Sequence, residues 1–320
     1  MKRILVTGAL GQIGSELVQQ LRNTYGADNV VASDIRAKSG QEAQIGPFEV
    51  LDVTDGKRMA QVVKQYNADA IIHLAALLSS TAETKPQLAW NLNMGGLVNA
   101  LEVSRELGCQ LFSPSSIAAF GPDTPRIFTP QDTIQRPTSM YGVTKVAGEL
   151  LCDYYYQKFG VDTRGLRFPG LISYVAPPGG GTTDYAVEIY YEAVRNGRYT
   201  SYIAPGTFMD MMYMPDALDA VVNLMEADAS RLKHRNAFNI SAMSFAPEQI
   251  AHAIQQHIPD FRMDYEVDPV RQSIADSWPD SIDSSQAAEE WGFKAKYDLE
   301  RTTKDMLSKL RSKLHVGQQS

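Results

Sequence analysis

The chain has 320 residues, 44% of them hydrophobic, enough for one large α/β domain or for a domain with a smaller cap. Its 30 Lys and Arg against 37 Asp and Glu give a formal charge of -7, which offers no basic stripe for nucleic acid or an anionic membrane and points to a small-molecule partner. Cys109 and Cys152, the only cysteines, make neither a disulfide framework nor a metal site, so no metal and a reducing compartment, the cytoplasm, are expected.

Met1-Lys2-Arg3 leads straight into Ile4-Leu5-Val6-Thr7, too short for a secretory segment, and no apolar run approaches the ~18 residues of a membrane span. The run reads as a strand that breaks at Gly8, after which Leu17, Val18 and Leu21 fall at helical spacing. A second strand over 29–33 ends on Asp34, and a third over 48–53 precedes a helix from Gly56 to Tyr66. Ala70 to Ala76 is the fourth strand, and a helix from about Gln87 to Leu107 follows. The fifth strand runs from Gln110 to Ser116, a helix carries Tyr141 to about Phe159, and Val161 to Phe168 supplies a sixth strand. This alternation predicts a doubly wound parallel sheet. The Pro/Gly-dense stretch from Ala176 to Asp184 reads as an ordered loop near a ligand or as a linker. Helices are expected from Tyr185, over Pro215 to Met225, around Gln249 to Gln256, and over Leu299 to Leu314, with short strands between Asn239 and Tyr265.

Four motifs fall at strand ends, where an open α/β sheet binds its ligands. Gly8-Ala9-Leu10-Gly11-Gln12-Ile13-Gly14 has the glycine spacing that lets a tight turn form and lets backbone approach a pyrophosphate at a helix N-terminus. Asp34, 20 residues after Gly14, can accept hydrogen bonds from the adenine-ribose hydroxyls or serve as an ordinary turn residue. Its carboxylate would repel a 2'-phosphate, which favours NAD over NADP, with Arg36 nearby as the opposing charge. Asp52-Val53 can hold the adenine edge by side chain and backbone. His73, flanked by Ile72 and Leu74, reads as a hydrogen-bonded structural histidine. Ser79 and Ser80 are ligand contacts or loop serines.

Tyr141 and Lys145 stand four residues apart, one helical turn on the same face, so an ammonium can stabilise a phenolate and make a general base. Ser116 can hold a substrate oxygen where Tyr141 removes its proton, with Ser115 as the competing candidate. No Gly-x-Ser-x-Gly elbow is present, which argues against a serine hydrolase.

Together the glycine triplet, Asp34, His73-Leu74-Ala75-Ala76, the Ser116 strand end and Tyr141-x-x-x-Lys145 resemble the extended short-chain dehydrogenase/reductases, the group containing UDP-galactose 4-epimerase. The resemblance spans nearly the whole chain. It implies a Rossmann-type NAD domain over 1–170, with a helix near 214–228 returning to it, and a smaller α/β substrate domain, mainly 171–320 and discontinuous. It further implies Tyr141 as base, Lys145 assisting it and bridging to the nicotinamide ribose, and Ser116 orienting the reacting oxygen. The cofactor set then extends to Gln12, Ile13, Ile35, Leu74, Ala75, Ala76, Asn93 and Pro169. A homodimer through the helices beginning near Gln87 and Tyr141 is a family expectation.

Nucleotide-sugar members of that group usually carry an arginine where this chain has Met209, in Phe208-Met209-Asp210-Met211-Met212-Tyr213, and a thioether cannot compensate a diphosphate. A small substrate is therefore favoured. The segments 75–79, 179–186 and 211–217 closely resemble the short-chain L-threonine 3-dehydrogenases. That resemblance implies NAD-dependent oxidation of L-threonine at Cβ to 2-amino-3-oxobutyrate, with Ser79, Ser80, Gly180, Thr182 and Thr183 holding the amino acid. Trp278 is either a pocket wall or a core residue. A nucleotide-sugar epimerase or dehydratase and a non-catalytic NAD-binding regulator are the alternatives.

Overall fold

A parallel sheet of six strands, most of them buried, organises the first half of the chain, with helices among its connections. The computed structural model describes residues 1–37, 45–177, 179 and 181–316. Strand β1 (Ile4–Thr7) leads into helix α1 (Gln12–Tyr25), whose Leu17, Val18 and Leu21 join the core around Ile4, Val6 and Val30. Each such side chain contributes about 1.5–3 kcal/mol when fully buried. Then come β2 (Val30–Asp34), β3 (Phe48–Val50), α2 (Gly56–Tyr66), β4 (Ala70–His73), α3 (Ser79–Thr84), α4 (Pro86–Leu107), β5 (Gln110–Phe112), β6 (Ser115–Ser116), α5 (Met140–Phe159), β7 (Thr163–Arg164) and β8 (Leu166–Phe168). The rest of the chain supplies β9 (Gly170–Ile172), α6 (Tyr185–Asn196), β10 (Arg198–Ser201), β11 (Met209–Tyr213), α7 (Met214–Glu226), β12 (Phe238–Asn239), β13 (Met243–Phe245), α8 (Pro247–Gln255), β14 (Arg262–Tyr265), α9 (Pro269–Asp276), α10 (Ser285–Trp291) and α11 (Leu299–Val316).

The main sheet has the order β3-β2-β1-β4-β5-β7 with every pair parallel, the doubly wound arrangement expected from the sequence. Winding reverses between β1 and β4, which opens a crevice past their carboxyl ends. Smaller sheets β13-β11-β9, β12-β8-β6 and β10-β14 complete the fold. Tyr185, Tyr190, Tyr213 and Phe245 centre a second core among α6, α8, α11 and β11, while α7 returns to α1, where Gln20 Nε2 donates to Asp219 at 2.9 Å. No described helix is long and apolar enough to cross a membrane.

Several strands are shorter than the apolar runs predict. The expected fifth strand breaks at Ser113-Pro114 and the expected sixth at Gly165, and the two breaks face each other. A Cβ on Gly165 would lie 2.4 Å from Ser113 O. Past the breaks, β6 and β8 pair with each other in a separate sheet, so Ser116 leaves the plane of β5. The third strand stops at Val50, leaving Asp52-Val53 in a turn, and the fourth stops at His73. Ser79 and Ser80, expected as ligand contacts or loop serines, begin the short helix α3.

Candidate active site

At the crevice the chain turns on Gly8 (φ +68°), where a Cβ would stand 2.7 Å from Ala75 N, and a Cβ on Gly14 would stand 2.3 Å from Gly8 O. Both positions need glycine for α1 to start this close to β1 and β4. The α1 helix begins after Gly11 with no side-chain cap, so its first N–H groups face the crevice as an anion site. Gln12 Nε2 is buried without a hydrogen-bond partner, a donor that a bound ligand oxygen would satisfy. Asp34 accepts from Leu10 N (3.1 Å), Arg36 N (3.1 Å) and Arg36 Nε (3.0 Å). Burial pushes its carboxyl up, but the Arg36 and Leu10 donors outweigh burial and hold it below the usual carboxylate range. These residues fit a dinucleotide. Gly14→Ala should weaken NADH binding, read by nucleotide fluorescence, about 100-fold or more, about 2.7 kcal/mol; unchanged affinity would rule out this cradle.

Tyr141 is positioned by another glycine. Ser139 caps α5, its Oγ accepting from Gly142 N at 3.1 Å, and a Cβ on Gly142 would lie 2.2 Å from Ala118 O. Glycine therefore lets the first turn of α5 press onto the 3-10 turn Ile117–Ala119 that follows Ser116. Lys145 Nζ donates to Pro114 O at 2.8 Å and stands 5.2 Å from the Tyr141 ring centroid. The neighbouring serines diverge. Ser115 donates to the buried Glu149 carboxylate, whereas Ser116 Oγ accepts from Ala118 N at 3.2 Å, which leaves its O–H to donate. Under this arrangement Arg167 pairs with Glu149 (Nη2–Oε2 2.8 Å) and donates to Gln131 O and Asn239 Oδ1.

A cavity of about 240 Å³ joins these parts. Gly8, Gly11, Gln12, Ile13, Gly14, Leu74, Ala76 and Pro169 line it together with Ser116, Tyr141 and Lys145. Ser79, Thr182, Thr183 and Trp278 line it as well. Thr183 comes in close because residue 170 is glycine: a Cβ there would stand 2.8 Å from Thr183 Cβ. Leu78, Phe168, Leu171 and Asp184 also line the cavity, and sequence reasoning singled out none of them for a site.

Other sequence candidates lie apart. Ser80 is exposed on α3, Ile35 is open to solvent beside Asp34, Val53 is buried, and Asp52 accepts from Thr54 N and Oγ1 within its own turn. Asn93 accepts from Leu77 N at 2.8 Å and donates to Leu77 O and Thr144 Oγ1, so it pins the 77 loop from behind. With His73, Ala75 and Lys145 it lines a smaller pocket. His73 Nδ1 is 3.0 Å from Thr7 Oγ1, and burial, with Lys145 second, lowers its pKa to about 4, so it is neutral near pH 7. Gly180 lies outside the described residues.

Residues 4–241 match the model of the NAD dependent epimerase/dehydratase family. An uncharacterized epimerase/dehydratase of Staphylococcus saprophyticus is 63% identical over 314 residues, 98% of both chains. Among solved structures, L-threonine dehydrogenase of Clostridium difficile is 66% identical with a TM-score of 0.96, covering 98% of each chain. The holo form of an L-threonine dehydrogenase of Cupriavidus necator is 49% identical with a TM-score of 0.94, over 96% of this chain and 99% of that one.

Proposed function

The chain belongs to the NAD dependent epimerase/dehydratase family, and on that premise we propose that it oxidises L-threonine at Cβ to 2-amino-3-oxobutyrate. The observation that carries this reading is the single cavity shared by the glycine cradle, the Ser116, Tyr141 and Lys145 group, and the Thr182-Thr183 turn. High similarity to L-threonine dehydrogenases supports the same substrate.

In this reading Tyr141, as phenolate, takes the proton of the β-hydroxyl. Ser116 donates to the same oxygen and fixes its direction, while Lys145, held by Pro114 O, stabilises the phenolate by charge. Bound NAD supplies, at C4 of its nicotinamide, the acceptor for the Cβ hydride. Gly8, Gly11, Gln12, Ile13 and Gly14 would hold the pyrophosphate, and Asp34 the adenine ribose. Thr182, Thr183 and Ser79 offer hydroxyl and backbone donors to the substrate carboxylate, and Trp278 closes the far wall. The reading assigns 1–170, with the returning α7, to the cofactor half and 171–320 mainly to the substrate half. Trp90 and Val98 of α4, and Val143, Leu150 and Tyr154 of α5, are exposed apolar residues that support a homodimer through those helices. Free, buried Cys109 and Cys152 are compatible with a cytoplasmic home.

NADH formation with L-threonine, L-allo-threonine, L-serine and 3-hydroxybutyrate in parallel tests the assignment. L-threonine should give the largest kcat/KM, by about tenfold or more over L-serine, because the added methyl gains about 1–3 kcal/mol in an apolar pocket. Equal turnover of 3-hydroxybutyrate would contradict it. A nucleotide-sugar epimerase is the second reading, and it is disfavoured because Met209 is wholly buried in β11, where no diphosphate can reach it.

A further inference from the structure

Asp210, next to Met209, takes no part in the chemistry above and has no solvent exposure. It is the second residue of β11, opposite Ser244 of β13. Its oxygens serve two elements: Oδ1 accepts from Ser241 Oγ at 2.5 Å and Oδ2 from Ile282 N at 2.6 Å. Ser244 Oγ donates to Asp280 O at 2.5 Å, so the β11-β13 pair grips residues 280–282 from the inside. On the outside, Arg126 donates to Asp276 O and to the Asp280 carboxylate, each at 2.5 Å, and Thr129 N donates to Ser281 O at 3.0 Å. Trp278, which walls the cavity, lies between these grips.

We propose that Asp210 is a positioning residue for the amino-acid pocket: through Ile282 N it holds the 276–283 segment so that Trp278 keeps that side of the cavity closed. The proposal rests on the reading of the cavity as the amino-acid site. Burial pushes the Asp210 carboxyl up to about 7 despite the lowering effect of the Ser241, Ile282 and Met211 donors. An asparagine side chain can keep the acceptor for Ile282 N through its Oδ1 and offer its Nδ2 to Ser241 Oγ, the serine hydroxyl turning to accept. The charged groups of the surrounding segment are engaged elsewhere, Arg126 with Asp280, Asp276 with Gln272, and Asp283 with Ser285. Strands β9 and β13 carry no charged residue. Without an acceptor at 210, the Ile282 N–H would be buried and unpaired, a cost that moving the segment would relieve.

Asp210→Ala, Asp210→Asn and Arg126→Met would be compared in the full chain by steady-state kinetics and by hydrogen exchange over 276–283. D210A should raise KM for L-threonine about tenfold with kcat within about threefold, the signature of lost uniform binding, and should speed exchange across the segment. D210N should bring KM back to within about threefold of the parent chain. Should D210A fail to fold, Arg126→Met loosens the same segment from its exposed side and should raise KM in the same direction. Faster exchange with unchanged KM in either variant, or D210N no better than D210A, overturns the proposal alone. A parent chain that does not oxidise L-threonine refutes the underlying reading and the proposal with it.

Discussion

Tyr141→Phe should lower threonine-dependent NADH formation by about 10³-fold, within the range expected when a general base is removed, while NADH binding stays within about threefold. The substitution deletes one oxygen and keeps the ring that Lys145 faces at 5.2 Å. The α5 helix should be unaffected, because its start depends on the Ser139 cap and on Gly142 against Ala118 rather than on the phenol oxygen. Loss of turnover with intact nucleotide binding separates a base from a structural tyrosine. Activity within about tenfold of the parent chain would remove Tyr141 from the mechanism, and the non-catalytic regulator would regain standing.

The second large effect concerns stability. Arg167 and Glu149 are each 7% exposed at the side chain and pair at 2.8 Å, with Glu149 also accepting from Ser115 and Gln135. Arg167→Met leaves a buried carboxylate without its counter-charge, and breaking such a pair costs about 3–5 kcal/mol. At about 2–4 °C per kcal/mol for a chain somewhat smaller than this one, the melting temperature should fall by about 10 °C in calorimetry. The double change Arg167→Met with Glu149→Leu should recover part of the loss, since the stranded charge is gone. A fall in the single variant of less than about 2 °C would mean that water already reaches the pair. Glu149 lies on α5 two turns past Tyr141, and its bond to Ser115 ties that helix to β6, so this network also sets the approach of Tyr141 to Ser116.

The parts legible in the sequence were those fixed by local chemistry. The turn at Gly8 needs φ above zero, the Asp34 carboxylate ends a strand, and Tyr141 with Lys145 repeats at one helical turn; each follows from a few adjacent residues. What escaped depends on partners far along the chain. The runs through Ser113-Pro114 and Gly165 look continuous, but pairing between β6 and β8 splits them, and that pairing is set by Gly165 approaching Ser113. Ser79 to Thr84 has no apolar periodicity, so α3 left no trace in pattern; its form follows from its packing beneath α5 and α4. Glu149 reads as one more polar helix residue until Arg167, 18 positions later, is seen beside it. Asp210 gives no local signal, because its partners, Ser241 and Ile282, are 31 and 72 residues away.

In the proposed reaction a hydride leaves Cβ of L-threonine for the nicotinamide of NAD held in this cavity. L-[3-²H]threonine turned over with unlabelled NAD, followed by mass spectrometry of the reduced nucleotide, traces that hydride. One deuterium is expected on nicotinamide C4 of the NADH formed. NADH without the label, or no reduced nucleotide from L-threonine, would contradict it.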